Sequence, residues 1–208
     1  MAGTSRSRPT TQLATAINRV RRDEGFSVIL VVSPVSDLDA GRPVSGRIMP
    51  FEVGDRVVYP HHGAAIVDRR ETRKAFGQEI EYLVLKVAHG DLTVSVPADK
   101  ADDVGVRPPI SRDEVEDIMN VLRKRDARMP SNWSRRFKNH VEKLKSGDIY
   151  QVAEVVRNLS LRDKDKGLSN GEKSMLINAR RVLVSELSFS LDEPEDDVEA
   201  NIKAVLAA

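Results

Sequence analysis

Apolar residues along this chain change their period once. Between residues 51 and 107 they fall in short runs: Val57-Val58-Tyr59, Ala64-Ala65-Ile66-Val67, Ile80 to Val87 and Leu92 to Val96. These runs are rich in β-branched side chains, which predicts strands. Gly54-Asp55, Pro60-His61-His62-Gly63, Phe76-Gly77-Gln78 and His89-Gly90-Asp91 separate them as turns. From Ser111 onward the spacing is helical. Ser111-Arg-Asp-Glu114 is a capping-box pattern, followed by Val115, Ile118, Met119 and Leu122 on one face. A second helix is expected from Ser131 or Asn132 to Gly147. A third runs from Asp148 to about Asp163, with Ile149, Val152, Val156 and Leu159 apolar. Ser169-Asn-Gly-Glu172 is another capping box and opens a longer helix with Met175, Leu176, Ala179, Val182, Leu183 and Leu187. Glu193-Pro194 marks a break, after which a last short helix can follow.

The predicted fold is therefore α+β with two domains. Four or five short strands with tight turns make a small Tudor-like or SH3-like β-barrel over 49–108, ended by Pro108-Pro109. An α-helical bundle follows over 111–190, then an acidic tail over 191–208. Residues 1–48 read differently, with Thr10 to Arg22 as a short helix and Phe26 to Val32 as a short strand among Gly, Ser, Arg and Pro. Met49-Pro-Phe-Glu-Val-Gly-Asp has the look of a domain start, so 1–48 is expected to be an atypical, poorly ordered extension from an upstream start codon. The other reading is a genuine small subdomain.

The 208 residues suffice for one or two small cores. No apolar run reaches the roughly 18 residues of a membrane span, and Val28 to Val32 follows no secretory pattern. The chain has no cysteine, which excludes disulfides and thiolate chemistry and fits a reducing cytoplasm. Net charge is +1, but it is segregated: residues 129–181 hold twelve basic and six acidic side chains, and residues 182–208 hold one and seven. A basic segment of this kind suits an anionic partner, although solvated helix faces would give the same count.

Trp133 is the only tryptophan, in Ser131-Asn-Trp-Ser-Arg-Arg-Phe-Lys138. Trp133, Phe137, Val141 and Leu144 share a helix face, and spacing alone makes Trp133 a core residue. Its polar neighbours and its place in the first turn favour exposure instead. An exposed ring beside cations suits a wedge in a nucleic-acid helix, with Lys and Arg on the phosphates. Arg135, Arg136, Lys138 and Lys143 share that helix, and Lys173 opens the long one.

Other signals carry little. Gly167-Leu-Ser-Asn-Gly-Glu-Lys-Ser174 lacks the spacing and the preceding strand of a phosphate-binding loop. The four histidines show no metal-ligand clustering or nucleophile–base pattern. No catalytic site, metal site or cofactor is predicted.

Several motifs occur in order: Val53-Gly-Asp-Arg-Val-Val-Tyr-Pro-His-His-Gly63, Glu81 to Val87, Gly90-Asp-Leu-Thr-Val94, Asn132-Trp-Ser-Arg-Arg136, Lys145-Ser-Gly-Asp148, Val152 to Arg157 and Gly167 to Lys173. Together they resemble CarD, the RNA polymerase-binding transcription regulator family, in its actinobacterial type, over about residues 49–190. The resemblance implies a Tudor-like domain that binds the RNA polymerase β subunit by strand addition. It also implies a helical domain on promoter DNA without strong sequence preference. By the same resemblance Trp133 is the minor-groove wedge at the upstream edge of the bubble, and Arg135, Arg136, Lys138 and Lys173 meet the backbone. Arg73 and position 95 would contact polymerase. The chain departs from the pattern at Ser95, where an arginine is expected, and at Ala75, where a larger apolar residue is expected.

The expected protein is a non-enzymatic regulator that stabilises the open promoter complex, cytoplasmic and associated with the nucleoid through polymerase. It needs no cofactor, contacts no membrane and is a free monomer. Two alternatives stay open. One is a protein- or RNA-binding module with Trp133 in its core. The other is a fragment related to transcription-repair coupling helicases, which the missing ATP-binding loop disfavours.

Overall fold

The computed structural model describes residues 15–19, 28–32, 51–60, 62–75, 78–89, 91–125 and 129–207, the first two segments as backbone. Thr15–Arg19 and Val28–Val32 form strands β1 and β2, paired antiparallel. The strand expected over Phe26 to Val32 is found in β2. The helix expected over Thr10 to Arg22 is not: its described part, β1, is a strand. Non-local pairing with the β-branched β2 decides the outcome for these residues.

β3 (Arg56–Tyr59), β4 (Gly63–Ala75), β5 (Gln78–Val87) and β6 (Thr93–Pro97) form an antiparallel meander that curls into a half-barrel. β2 joins β6 in parallel, with Ile29 opposite Thr93 and Val31 opposite Ser95. The sheet order is thus β1-β2-β6-β5-β4-β3. Val57, Ala65, Leu85, Val94 and Val96 are fully buried on its inner face. β4 is much longer than the predicted Ala64–Val67. A bulge between Val67 and Arg69 bends it. Its charged outer half pairs with β5, and past Glu71 the two strands extend beyond β6 as a two-stranded arm; Lys74 lies 3.8 Å from Glu79 and Arg70 3.7 Å from Glu81.

After a 3₁₀ turn (Ala98–Lys100) and the single-turn α1 (Ala101–Val104), five helices pack together: α2 (Arg112–Arg123), α3 (Trp133–Lys145), α4 (Ile149–Lys166), α5 (Asn170–Leu191) and α6 (Glu195–Ala207). Both predicted capping boxes form, at Ser111–Glu114 and Ser169–Glu172. Ile118, Leu122, Leu159, Leu183 and Leu187 are the centre of the core. The acidic C-terminal residues belong to this bundle. Glu195, Asp196 and Asp197 occupy the first turn of α6, where a helix N-terminus favours anions, and Val198, Ile202 and Leu206 are buried.

The two domains meet along α5. Gly63 adopts φ 82°, and a Cβ there would lie 2.4 Å from Ser185 Oγ, so only glycine fits. The next amide, Ala64 N–H, donates to Ser185 Oγ at 3.2 Å. Arg107 bridges to strand residue Val58 and donates Nη2–H to Glu186 Oε2 at 2.9 Å. Glu186 is fully buried on α5. Removing one partner of such a pair leaves an uncompensated charge inside the protein. Arg107→Ala should therefore lower unfolding free energy by about 3–5 kcal/mol in urea titration, far more than the surface change Lys74→Ala.

Candidate nucleic-acid interface

Two helix N-termini lie side by side at one end of the bundle. α3 begins after Asn132, whose side chain accepts from Arg135 N–H at 3.1 Å. α5 begins after Ser169, whose hydroxyl accepts from Glu172 N–H at 3.3 Å. Both are conventional caps, since a short polar side chain satisfies a free amide of the first turn. Trp133 spans the gap between them, its indole N–H donating to Ser169 Oγ at 3.1 Å.

Trp133 is 49% exposed. The helical spacing is real, but its core character begins one turn later. Phe137, Val141 and Leu144 are partly buried against the bundle, while Trp133 projects past its edge. The indole stacks on Phe137 with centroids 5.3 Å apart and planes 27° apart. Phe137 in turn lies on α5 at Gly171, where a Cβ would sit 3.2 Å from its ring. Absence of a side chain at residue 171 thus lets the aromatic pair approach the second helix.

Arg136, expected on phosphates, is placed otherwise. It is 1% exposed. Its Nε–H donates to Glu172 Oε1 at 2.8 Å, and Nη1 donates to the carbonyls of Pro130 and Ser131 at 3.1 Å each. With these donors committed inside the protein, Arg136 is a framework residue that ties the approach to α3 onto α5. Arg162 adds a longer contact to the same carboxylate at 3.8 Å. Burial pushes the Glu172 carboxyl up, but bonds from Arg136 and from the backbone and hydroxyl of Ser169 outweigh it and hold the group below its ordinary range.

The other expected contacts divide. Arg135, Lys138 and Lys173 are exposed. Lys138 lies 3.9 Å from Glu142, with side chains 79% and 62% exposed, a pairing too solvated to hold it. Lys143 is partly buried and engages Glu154 of α4, which leaves it a weaker candidate. On the sheet, Ser95 is 1% exposed and cannot present its side chain to a partner. Its hydroxyl accepts instead from Arg73 Nη2 at 3.4 Å. Arg73 also lies 5.3 Å above the Tyr82 ring and pairs with Glu71 at 2.9 Å. The side chain of Ala75, like His61, lies outside the described residues. His62 stacks on Tyr59 at 5.4 Å, and among the described residues no group of His, Asp or Glu could hold a metal ion.

Sequence reasoning missed three supports of the tryptophan: the Ser169 acceptor, the Arg136–Glu172 pair and the Gly171 gap. The Ser169–Glu172 capping box was visible, but its second partners lie 36 residues away in sequence.

Behind this end, His140 is 1% exposed. Burial first, then Lys143 and Arg136, lower its pKa to about 4 against the opposing pull of Glu172. The unfolded chain therefore binds a proton that the folded chain refuses. Stability is full above the ordinary histidine range and falls as pH drops from about 6.5 towards about 4. The difference amounts to a few kcal/mol. Urea unfolding from pH 7 to pH 4.5 should show this loss, and His140→Leu should flatten that part of the curve.

Residues 51–110 match the model of the CarD-like/TRCF RID domain, and residues 117–203 match that of the CarD C-terminal domain. The boundary between the two matches falls where the sheet hands over to α2. The chain is also 34% identical over 137 residues to YdeB of Bacillus subtilis (strain 168), a protein named as a candidate transcription factor. That alignment covers 66% of this chain and 90% of YdeB. With sheet and bundle each matched in order, the chain belongs to the CarD family of transcription regulators, which act through RNA polymerase.

Proposed function

We propose that this protein binds the RNA polymerase β subunit through its sheet and promoter DNA through the bundle, stabilising the open promoter complex with Trp133 as a minor-groove wedge. The observation that carries the reading is the half-exposed indole at two adjoining helix starts, with Arg135, Lys138 and Lys173 exposed on the same two helices. An aromatic ring with one open face can insert at a distorted base step. Exposed cations and helix N-termini bind phosphate without reading sequence. The alternative with Trp133 in the core fits poorly with an exposure of 49%.

The polymerase contact would be made by strand addition, which needs an unpaired strand edge. β2 occupies the outer edge of β6. A stretch left open among the described strands is the outer edge of β4 beyond Val67, because β3 pairs only as far as Ile66. Arg73 lies on that stretch. Ser95 takes part from behind, as an acceptor that steadies Arg73.

The mechanism is one of linkage. A factor that binds the open complex better than the closed one shifts the population by that difference in affinity. A ring that fits unstacked DNA better than paired DNA supplies the difference and slows bubble collapse. The lifetime of a polymerase–promoter open complex should lengthen with the wild-type protein. Trp133→Ala should lose about tenfold of the DNA affinity, within the ~1–3 kcal/mol of a stacking ring, and most of the gain in lifetime. If neither protein changes the lifetime, the reading is wrong. Separately, Lys138→Ala and Lys173→Ala should each reduce the slope of log affinity against log salt by about 1, whereas Lys143→Ala should change it little.

A further inference from the structure

We infer that Ser169 is a positioning residue for Trp133: its hydroxyl holds the indole N–H and sets the direction of the ring before DNA is met. The inference rests on the reading that Trp133 contacts DNA.

The hydroxyl of Ser169 has one proton and two lone pairs, and the structure uses all three. It donates to Glu172 Oε2 at 2.9 Å. It accepts from Glu172 N–H at 3.3 Å and from Trp133 Nε1–H at 3.1 Å. The polarity has no alternative, because an indole N–H can only donate and an ionised carboxylate can only accept. Arg136 keeps that carboxylate ionised and in place. Arg136 also grips the carbonyls of Pro130 and Ser131, just before the Asn132 cap and the tryptophan. The bonds close a circuit from the start of α3 through Trp133, Ser169, Glu172 and Arg136 back to the same backbone.

An exposed indole without such a bond would sample several rotamers and lose that freedom on binding. Here the N–H edge is tied to α5 and one face rests on Phe137. The rest of the half-exposed ring is open to solvent. The bound N–H also has a chemical consequence. While it is held by Ser169 it does not donate to a base acceptor, so the ring acts as an apolar wedge that tolerates either base pair.

Two variants separate positioning from helix capping. Glycine at an N-cap retains most of the capping preference of serine but offers the indole no acceptor, so Ser169→Gly removes the tie and spares the helix. Ser169→Thr keeps the hydroxyl. Two readouts are needed: solvent exchange of the indole N–H in the free protein, by NMR, and open-complex lifetime. Ser169→Gly should speed indole exchange and weaken the DNA contact about fivefold, which corresponds to about 1 kcal/mol, with its melting curve unchanged in shape. Ser169→Thr should restore both. The inference is overturned if Ser169→Gly leaves exchange and lifetime at wild-type values while Trp133→Ala shortens the lifetime. Should Trp133→Ala itself have no effect on lifetime, the DNA reading falls and takes this inference with it. In that case the indole exchange rate still reports whether Ser169 holds the ring.

Discussion

The buried Arg136–Glu172 ion pair is the contact on which the tryptophan end of the bundle depends. Their side chains are 2% and 1% exposed, so each charge would be costly to bury alone and the two are tolerable only together. Their geometry joins the first turns of α3 and α5, helices that otherwise meet mainly through α4. The adjoining N-termini follow from that tie. So does the indole's position across the gap, with Ser169 on one side and Phe137 on the other. Hydrophobic packing alone would let α3 slide or rotate by small amounts. A guanidinium fork gripping a carboxylate and two carbonyls is directional, and it fixes the angle at which the tryptophan leaves the bundle.

The rest of the molecule serves to place that end. Arg107, bridged to Val58 of β3, and Glu186 couple the sheet to the C-terminal third of α5, and the Gly63–Ser185 approach adds a second close contact. α5 thus runs from the tryptophan at its N-terminus to the sheet at its C-terminal third. A partner bound to the sheet and DNA bound at the tryptophan would then be held at a set separation, and tethering by one raises the effective concentration of the other. On the proposed reading, this is how a protein offering DNA only three exposed cations and one ring would act at a particular edge of the bubble.

Much of the fold was legible in the sequence because it is encoded locally. Ser111 and Ser169 announce their helices through a side chain and a partner three residues on, and the runs around Val57, Leu83 and Val94 announce strands by composition. What stayed hidden is non-local. The outer half of β4, Arg69 to Lys74, is charged on both faces because it pairs along one edge only, with β5, so it shows no hydrophobic period. Thr15–Arg19 is a strand by virtue of its neighbour β2. At the site, Arg136 could not be told from Arg135 by spacing or by neighbours, since only the position of Glu172 in space makes one a framework residue and the other a surface cation. Trp133 was ambiguous for a related reason: it obeys the apolar period of α3, and only where the bundle ends decides that it projects.

Because Trp133 is the sole tryptophan, its fluorescence in the isolated protein reports the central claim directly. The measurement is a low-salt titration with a short upstream-fork DNA carrying an unpaired segment, beside the fully paired duplex of the same sequence. The account predicts strong quenching by the fork and much weaker quenching by the duplex, since the ring fits unstacked DNA. Equal quenching by both, or none by either, would contradict it.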